Sequence, residues 1–214
     1  MSPLPRSPRR CVRWRVPVAA VALVAMLAGC AGLKPPATED LSIYVLDARP
    51  AANPRLPQRN VVLVVGTPRA WPGFDTPRIA YVRQPYELDY FATGRWADAP
   101  ARMLGPLIAH ALEQGGNFRA VVHNPSVVAS DVRLDIELVR LQHEFVGGPS
   151  RVRIALRAQL IDLNARRMLA TREFEEIEPA AADNIYSGVA AANRALERVL
   201  ARLEEFCANA VADR

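Results

Sequence analysis

Apolar and polar residues alternate through the second half of the chain, which predicts three consecutive antiparallel strands. Apolar residues occupy every second position from Val132 to Leu138, and from Val139 onward they occupy the other set of positions. A strand cannot change faces without an extra residue, so we predict a β-bulge near Leu138–Val139. The expected strands cover residues 132–145, 152–160 and 168–177, and their polar side chains share one face.

Two segments carry apolar residues at steps of three and four, the spacing of an amphipathic helix. The first helix is expected over residues 98–114, with Asp98 as its N-cap and Gly115–Gly116 as its stop. Pro106 lacks a backbone donor, so we expect either a kinked helix or a loose first turn followed by a regular helix from about Gly105. The second helix is expected over about residues 180–208, within a pattern that runs from Pro179 to about Ala210. Six of its charged residues are expected to face water: Arg194, Glu197, Arg198, Arg202, Glu204 and Glu205.

The first half of the domain contains shorter β-type runs, and they complete the predicted fold class. Residues 67–77 hold Pro68, Pro72, Gly73 and Pro77, and they predict no regular element. The sequence therefore predicts a single α/β (α+β) domain, with a mixed, largely antiparallel β-sheet packed by the two helices. The remaining strands are expected at Ser42–Asp47, Val61–Val65 (buried on both faces), Arg78–Arg83, Tyr86–Phe91 and Phe118–His123.

The N-terminal 40 residues follow a different pattern, which is typical of a bacterial lipoprotein. Five arginines precede an apolar run, Val16 to Met26, that is too short to span a bilayer comfortably. The next four residues, Leu27-Ala28-Gly29-Cys30, form a lipobox, where the signal is cut and the new N-terminal cysteine is lipidated. We predict a signal peptide at 1–29, a lipidated N-terminus and flexible tether at 30–40, and the domain at 41–214. The alternative is an ordinary secretory signal or an N-terminal membrane helix.

Removal of this signal changes the charge of the protein. The whole chain has 27 Lys plus Arg against 22 Asp plus Glu. The five signal arginines account for the difference, because 27 − 5 = 22 and the first 29 residues contain no acidic residue. The mature chain is formally neutral, so a nucleic-acid partner is not expected.

The residues that usually carry chemistry are dispersed. His110, His123 and His143 have no carboxylate or cysteine at a metal-ligand spacing, and we expect them to be structural or solvated. Asp135 and Glu137 are expected to form ion pairs with Arg133 and with arginines of the neighbouring strand, Arg151 to Arg157. Cys207 is expected to be a half-buried helix residue. We therefore expect no catalytic, cofactor-binding or metal-binding residue, and no enzyme activity.

Four short stretches resemble the ABC-type transport auxiliary lipoprotein family, which includes the PqiC-type lipoproteins. The family pattern is a lipobox, a Tyr-x-Leu strand, an Ile-x-Tyr-Arg-like strand, and a Tyr-x-x-x-Arg-Trp-Ala segment before a helix. The second strand and the last segment depart slightly from that pattern in this chain. The matching residues are Tyr44-Val45-Leu46-Asp47, Arg78-Ile79-Ala80-Tyr81-Val82-Arg83, Glu87-Leu88-Asp89-Tyr90-Phe91 and Arg95-Trp96-Ala97.

The resemblance implies an outer-membrane lipoprotein on the periplasmic face. It would be the accessory or docking subunit of an MCE-domain transporter, with an ABC ATPase and permease, that moves phospholipids or related lipids between the two membranes. Ala31, the residue after the anchor, agrees with sorting to the outer membrane. The alternative is a structural lipoprotein that assists assembly of an outer-membrane barrel or plugs it, and homo-oligomer formation stays open. Trp96, Tyr90 and Phe91 are expected to be packing or partner contacts, and packing is favoured for Trp96.

The lipobox generates the first testable prediction. The Cys30→Ser variant should carry no lipid, because a hydroxyl group cannot form the thioether through which the anchor is attached. Metabolic labelling with a fatty acid measures this directly. A labelled serine variant would contradict the lipoprotein interpretation.

Overall fold

The computed structural model describes residues 40–50, 57–123 and 129–212. The described residues from Asp40 onward form one unit. Cys30, the signal peptide and the predicted tether up to residue 39 lie outside the described residues.

Among these residues, nine strands form one mixed sheet and two helices pack on it, which confirms the predicted fold class. The strands are β1 (Ser42–Tyr44), β2 (Arg59–Val65), β3 (Arg69–Ala70), β4 (Arg78–Val82), β5 (Asp89–Trp96), β6 (Phe118–His123), β7 (Val132–Glu144), β8 (Arg151–Asp162) and β9 (Arg167–Pro179). The helices are α1 (Pro100–Gly115) and α2 (Ile185–Ala212).

Strand β7 is shared by both halves of the sheet. Along one edge it pairs antiparallel with β8, which in turn pairs antiparallel with β9. Along its other edge three segments follow one another, all parallel to it: β2 at Val132–Leu134, β3 at Glu137–Leu138 and β4 at His143–Glu144. Strand β6 extends the sheet beyond β2, and β5 and β1 extend it beyond β4.

The predicted β-bulge lies in β7. Leu138 is opposite Leu156 and Arg140 is opposite Ala155, so Val139 is the extra residue. Leu138 and Leu141 are both buried, which shows that the bulge keeps apolar residues on the covered face on both sides of it. The three-stranded meander predicted from the alternation is confirmed.

Both helices contribute to one apolar core on a single face of the sheet, called here the inner face. Leu104, Ile108 and Leu112 of α1 and Leu196, Leu200 and Leu203 of α2 are at most 1% exposed. They pack with Leu134, Leu138, Ile154, Leu156 and Leu160 of the sheet, none of which is exposed. The opposite face, the outer face, carries the alternating polar residues of β7 and β8.

Helix α1 begins later than predicted. Its N-cap is Ala99, and Asp98 lies one residue earlier, where its side chain accepts a hydrogen bond from the Ala99 N–H (2.7 Å) and pairs with Arg102 (2.6 Å). The reason is Pro100, which suits the first turn of a helix and disfavours a helical conformation in the residue before it. The helix runs without a break through Pro106, so a start at about Gly105 is wrong, and Gly116 ends it in the left-handed conformation, as predicted.

Helix α2 also begins later than predicted, at Ile185, because β9 continues to Pro179 and the helix cap lies at Asn184. Asn184 caps the helix: its side-chain oxygen accepts the Ser187 N–H (2.9 Å) and its carbonyl accepts the Gly188 N–H (3.1 Å). Glu204 was expected to face water, but it is buried and accepts a hydrogen bond from the Asn117 side chain (3.2 Å).

The arginines of α2 lie beside the edge strand β9 and form ion pairs there instead of pointing only into water. Arg194 and Arg198 pair with Glu178, and Arg202 pairs with Glu176. Two of these guanidinium groups also donate to β9 carbonyls: Arg202 to Glu175 (2.8 Å) and Arg194 to Pro179 (3.2 Å). The helix and the strand edge are therefore joined through side chains.

Three smaller elements differ from the prediction. Strand β1 ends at Tyr44, because the backbone of Val45 and Asp47 instead contacts the Asn193 side chain of α2. Residues 67–77 contain the two-residue strand β3. The predicted strand Tyr86–Phe91 is displaced to Asp89–Trp96, because Pro85 and Tyr86 form a turn.

A charged cluster lies on the outer face where β7 and β8 meet. Glu144 pairs with Arg151 (2.9 Å) and Arg153 (2.7 Å) and accepts a hydrogen bond from Gln142 (2.9 Å). Burial opposes ionisation of Glu144, but hydrogen bonds from Arg153, Gln142 and Arg151 outweigh it and lower the pKa of this carboxyl to about 2. These contacts are charge-assisted and stabilise the junction of the two strands.

Trp96 is 3% exposed, whereas Trp71 is 45% exposed, so the same substitution can be compared at the two positions. In the soluble domain from residue 31 onward, Trp96→Ala should lower the free energy of unfolding by about 3–5 kcal/mol, since it empties a packed site. Trp71→Ala should change it little. Thermal unfolding measures both, and a midpoint for Trp96→Ala within about two degrees of the parent would reject the packing role.

Glu144 also predicts a pH dependence of stability. Its pKa in the folded state, about 2, lies below the ordinary value of 4.5, so ionised Glu144 stabilises the fold above pH 4.5. That stabilisation is lost as the pH falls from 4.5 towards 2. In Glu144→Gln the free energy of unfolding should fall less steeply over this interval than in the parent. Denaturant unfolding at a series of pH values tests this, with exposed Glu205→Gln as the control; equal slopes for Glu144→Gln and the parent would contradict it.

Candidate functional site

The structure places the three aromatic residues of the resemblance at different depths. Trp96 ends β5, and its backbone N–H donates to the Pro77 carbonyl (2.7 Å). Its side chain faces the same interior space as Leu141 and Val189. It is buried and therefore does not form part of the exposed surface. Cys30, the predicted lipidation site, lies outside the described residues.

Tyr90 and Phe91 are half-buried, and both hold the β4–β5 hairpin in place. The Tyr90 hydroxyl donates to the Gly73 carbonyl (2.9 Å), and the Arg78 guanidinium lies 3.7 Å from the centre of its ring. Phe91 lies 4.6 Å from Tyr81, measured between ring centres. The two side chains therefore brace the hairpin on both sides of β5.

Behind the hairpin, aromatic rings continue onto the end of β7. His143 stacks on Phe145 with ring centres 4.2 Å apart, and Phe145 lies 6.1 Å from Tyr81. This packing gives the hairpin a rigid base, so the position of its turn is fixed relative to the sheet.

The turn of this hairpin exposes Tyr86 completely. The Glu87 N–H donates to the Gln84 carbonyl (3.4 Å), and the two side chains of these residues are also hydrogen-bonded to each other. Pro85 occupies the second position of the turn and Tyr86 the third, with φ = 70°. A positive φ at the third position is the pattern of a type II turn, where glycine is the usual residue.

Tyrosine in this conformation is unfavourable in two respects. The left-handed region costs an L-residue about 1–2 kcal/mol, and the aromatic ring gains no burial in return. Bulky residues held in such regions cluster at functional sites. We therefore take the turn 84–87, called here the Tyr86 turn, as the candidate site for contact with a partner.

Sequence reasoning missed Tyr86, because it assigned the residue to a strand. Pro85 was the available signal: proline at the second position of a four-residue turn places the next residue in the third. That Tyr86 has a positive φ could not be deduced from residue types, since tyrosine rarely adopts it.

The histidines and the cysteine lie apart from the Tyr86 turn. His110 contacts Gln114 on α1 (2.8 Å), and His143 is buried. Burial lowers the pKa of His143, and Asp183 opposes this shift. Cys207 is fully buried rather than half-buried, and burial raises the pKa of its thiol well above the ordinary value.

Residues 40–50, 57–123 and 129–212 show neither a metal site nor a membrane-spanning helix. They contain no group of three or more His, Cys, Asp and Glu side chains placed to hold a metal ion. Neither described helix combines the length and apolar character needed to cross a membrane.

The solved structures that are similar to this chain include the following two. A Xanthomonas campestris protein is 28% identical to this chain and superposes with a TM-score of 0.75, covering 80% of this chain and 97% of its own. An uncharacterised protein is 16% identical, with a TM-score of 0.61, and covers 79% of this chain and 99% of its own; it shows the fold alone. A search of curated protein sequences gives no match.

A family model matches residues 44–204, which include every strand and helix from Tyr44 to most of α2. The family is described as the ABC-type transport auxiliary lipoprotein component, which is not an enzyme family. The match confirms the resemblance found in the sequence and covers well over half of the chain. The chain therefore belongs to the ABC-type transport auxiliary lipoprotein family.

Proposed function

We propose that this protein is the lipid-anchored accessory subunit of an MCE-type ABC transport system that moves phospholipids or related lipids between the inner and outer membranes. The observation that carries the proposal is the family match over residues 44–204. The lipobox at Cys30 supports the anchored state, and the neutral mature chain agrees with a role in docking.

The proposed location is the periplasmic face of the outer membrane. Ala31 follows the lipidated cysteine and supports sorting to that membrane. Ten residues lead from Cys30 to Asp40, the first described residue, and ten extended residues reach at most about 35 Å. The domain can thus stand clear of the lipid headgroups and meet a protein that extends from the inner membrane.

The proposed contact with the MCE-domain protein is centred on the Tyr86 turn. Tyrosine is enriched among residues that dominate binding energy at protein interfaces, because it buries a large surface at a small entropy cost. Tyr86 is presented on a rigid hairpin, so little conformational entropy would be lost on binding.

Recovery of partners from the cell envelope tests the proposed role. The tagged full-length lipoprotein should co-elute with an MCE-domain protein after solubilisation in detergent, and the Cys30→Ser variant provides the unlipidated comparison. Co-elution of an outer-membrane barrel without an MCE-domain protein would contradict the proposal and support the structural alternative.

The Tyr86 turn predicts opposite effects on stability and binding. Tyr86→Gly should raise the thermal midpoint, because glycine adopts the positive φ without the cost of about 1–2 kcal/mol. The same variant should recover at least about tenfold less MCE-domain protein, as expected for loss of a central aromatic contact. Tyr186, which is 72% exposed on α2, offers the matched control: Tyr186→Ala should leave recovery unchanged. Undiminished recovery by Tyr86→Gly would place the contact elsewhere.

A further inference from the structure

The outer face of the sheet contains an open cleft of about 660 Å³. It lies beside the end of β2, next to β3, and over the first half of β7 and the second half of β8. Its volume is within the range of sites that hold small molecules, roughly 300–1,000 Å³. We call it the arginine cleft, because Arg69, Arg133 and Arg157 line it.

Two carboxylates also line the arginine cleft, and only one of them is tightly paired. Asp135 accepts two hydrogen bonds from Arg133, at 2.7 and 2.8 Å, so these two charges neutralise each other. Gly66 permits this arrangement, because a Cβ atom at that position would lie 2.6 Å from the Asp135 Oδ1. The pair therefore packs closely against the backbone of Gly66.

Glu137 lies in register between the other two arginines. It is opposite Arg69 of β3 on one side and opposite Arg157 of β8 on the other. Within the described part of the chain, neither arginine forms an ion pair with Glu137 or with any other carboxylate. The prediction of cross-strand ion pairs for Glu137 is thus wrong. Such pairs form instead at Glu144, further along the same strands.

The charge balance of the cleft is positive. The Arg133–Asp135 pair contributes no net charge, and two guanidinium groups face one carboxylate at Glu137, which leaves an excess of one positive charge. Both Arg69 and Arg157 are exposed, so their side chains can turn towards a ligand. Guanidinium groups bind phosphate oxygens through paired N–H donors.

We propose that the arginine cleft binds a phosphate ester, held between Arg69 and Arg157. A phosphate diester of a phospholipid headgroup has one negative charge and would neutralise the excess charge, and the cleft has room for a glycerol group attached to the phosphate. The ester could come from a lipid headgroup or from a soluble glycerol phosphate, and the two sources are separable by experiment. The site lies apart from the Tyr86 turn, so it does not depend on the proposed partner.

Titration calorimetry on the mature full-length lipoprotein in non-ionic detergent tests the site. One arm uses sn-glycerol 3-phosphate, the other uses dihexanoyl phosphatidylglycerol, and glycerol serves as the control without phosphate. Binding of either phosphate probe, with no binding of glycerol, is the expected result. Tighter binding of the short-chain lipid assigns the headgroup as the source, and tighter binding of glycerol phosphate assigns the soluble ester.

Two variants should change the affinity in opposite directions. The double variant Arg69→Gln/Arg157→Gln should bind phosphate at least about tenfold more weakly, because the charged donors are lost. Glu137→Gln should bind about threefold or more tightly, because it removes a like charge beside the ligand. Exposed arginines outside the cleft provide the control of equal charge change, Arg119→Gln/Arg167→Gln, which should retain the parent affinity.

Each outcome decides the proposal. Equal affinity in the parent and the Arg69→Gln/Arg157→Gln variant, or no binding of either phosphate probe by the parent, would overturn it. Weaker binding by Glu137→Gln would overturn the assigned geometry as well. Recovery of the MCE-domain protein by the double variant is measured separately, so failure of the cleft and failure of the accessory role remain distinguishable.

Discussion

The fold depends on one constraint: β7 must pair with three separate segments along a single edge. Strands β2, β3 and β4 pair with successive parts of that edge, while β8 occupies the whole of the other. The bulge at Val139 falls between the parts that pair with β3 and with β4. The extra residue of the bulge shifts the alternation of side chains by one position. One strand can therefore turn apolar residues towards the helices on both sides of the bulge.

The local patterns of the sequence predicted the meander, its bulge and both helices, because alternation and helical spacing are properties of neighbouring residues. Their ends were less predictable. Pro100 moved the start of α1 by its own geometry, and Asn184 capped α2 where the apolar pattern alone indicated an earlier start. Glu204 was misplaced for a different reason: its burial is compensated by Asn117, a residue far away in the sequence.

The two candidate sites could not be predicted from the sequence because both arise from non-local structure. Arg69 lies in a segment with many prolines and glycines, and only the parallel pairing of β3 with β7 brings it beside Glu137. Arg157 was predicted on the neighbouring strand. That it forms no ion pair with a described residue depends on where its side chain lies, which the sequence does not determine. Likewise, the backbone of Tyr86 follows from the closure of a turn against a packed aromatic base.

The long strand β9 has an outer edge that pairs with no described strand. Such edges invite addition of a strand from another molecule. Here the carbonyls of Glu175 and Pro179 are already bonded to Arg202 and Arg194, and proline has no N–H to offer. An incoming strand would have to break both bonds before it could pair. Helix α2 therefore protects this strand edge against the addition of a strand from another molecule, and so against aggregation.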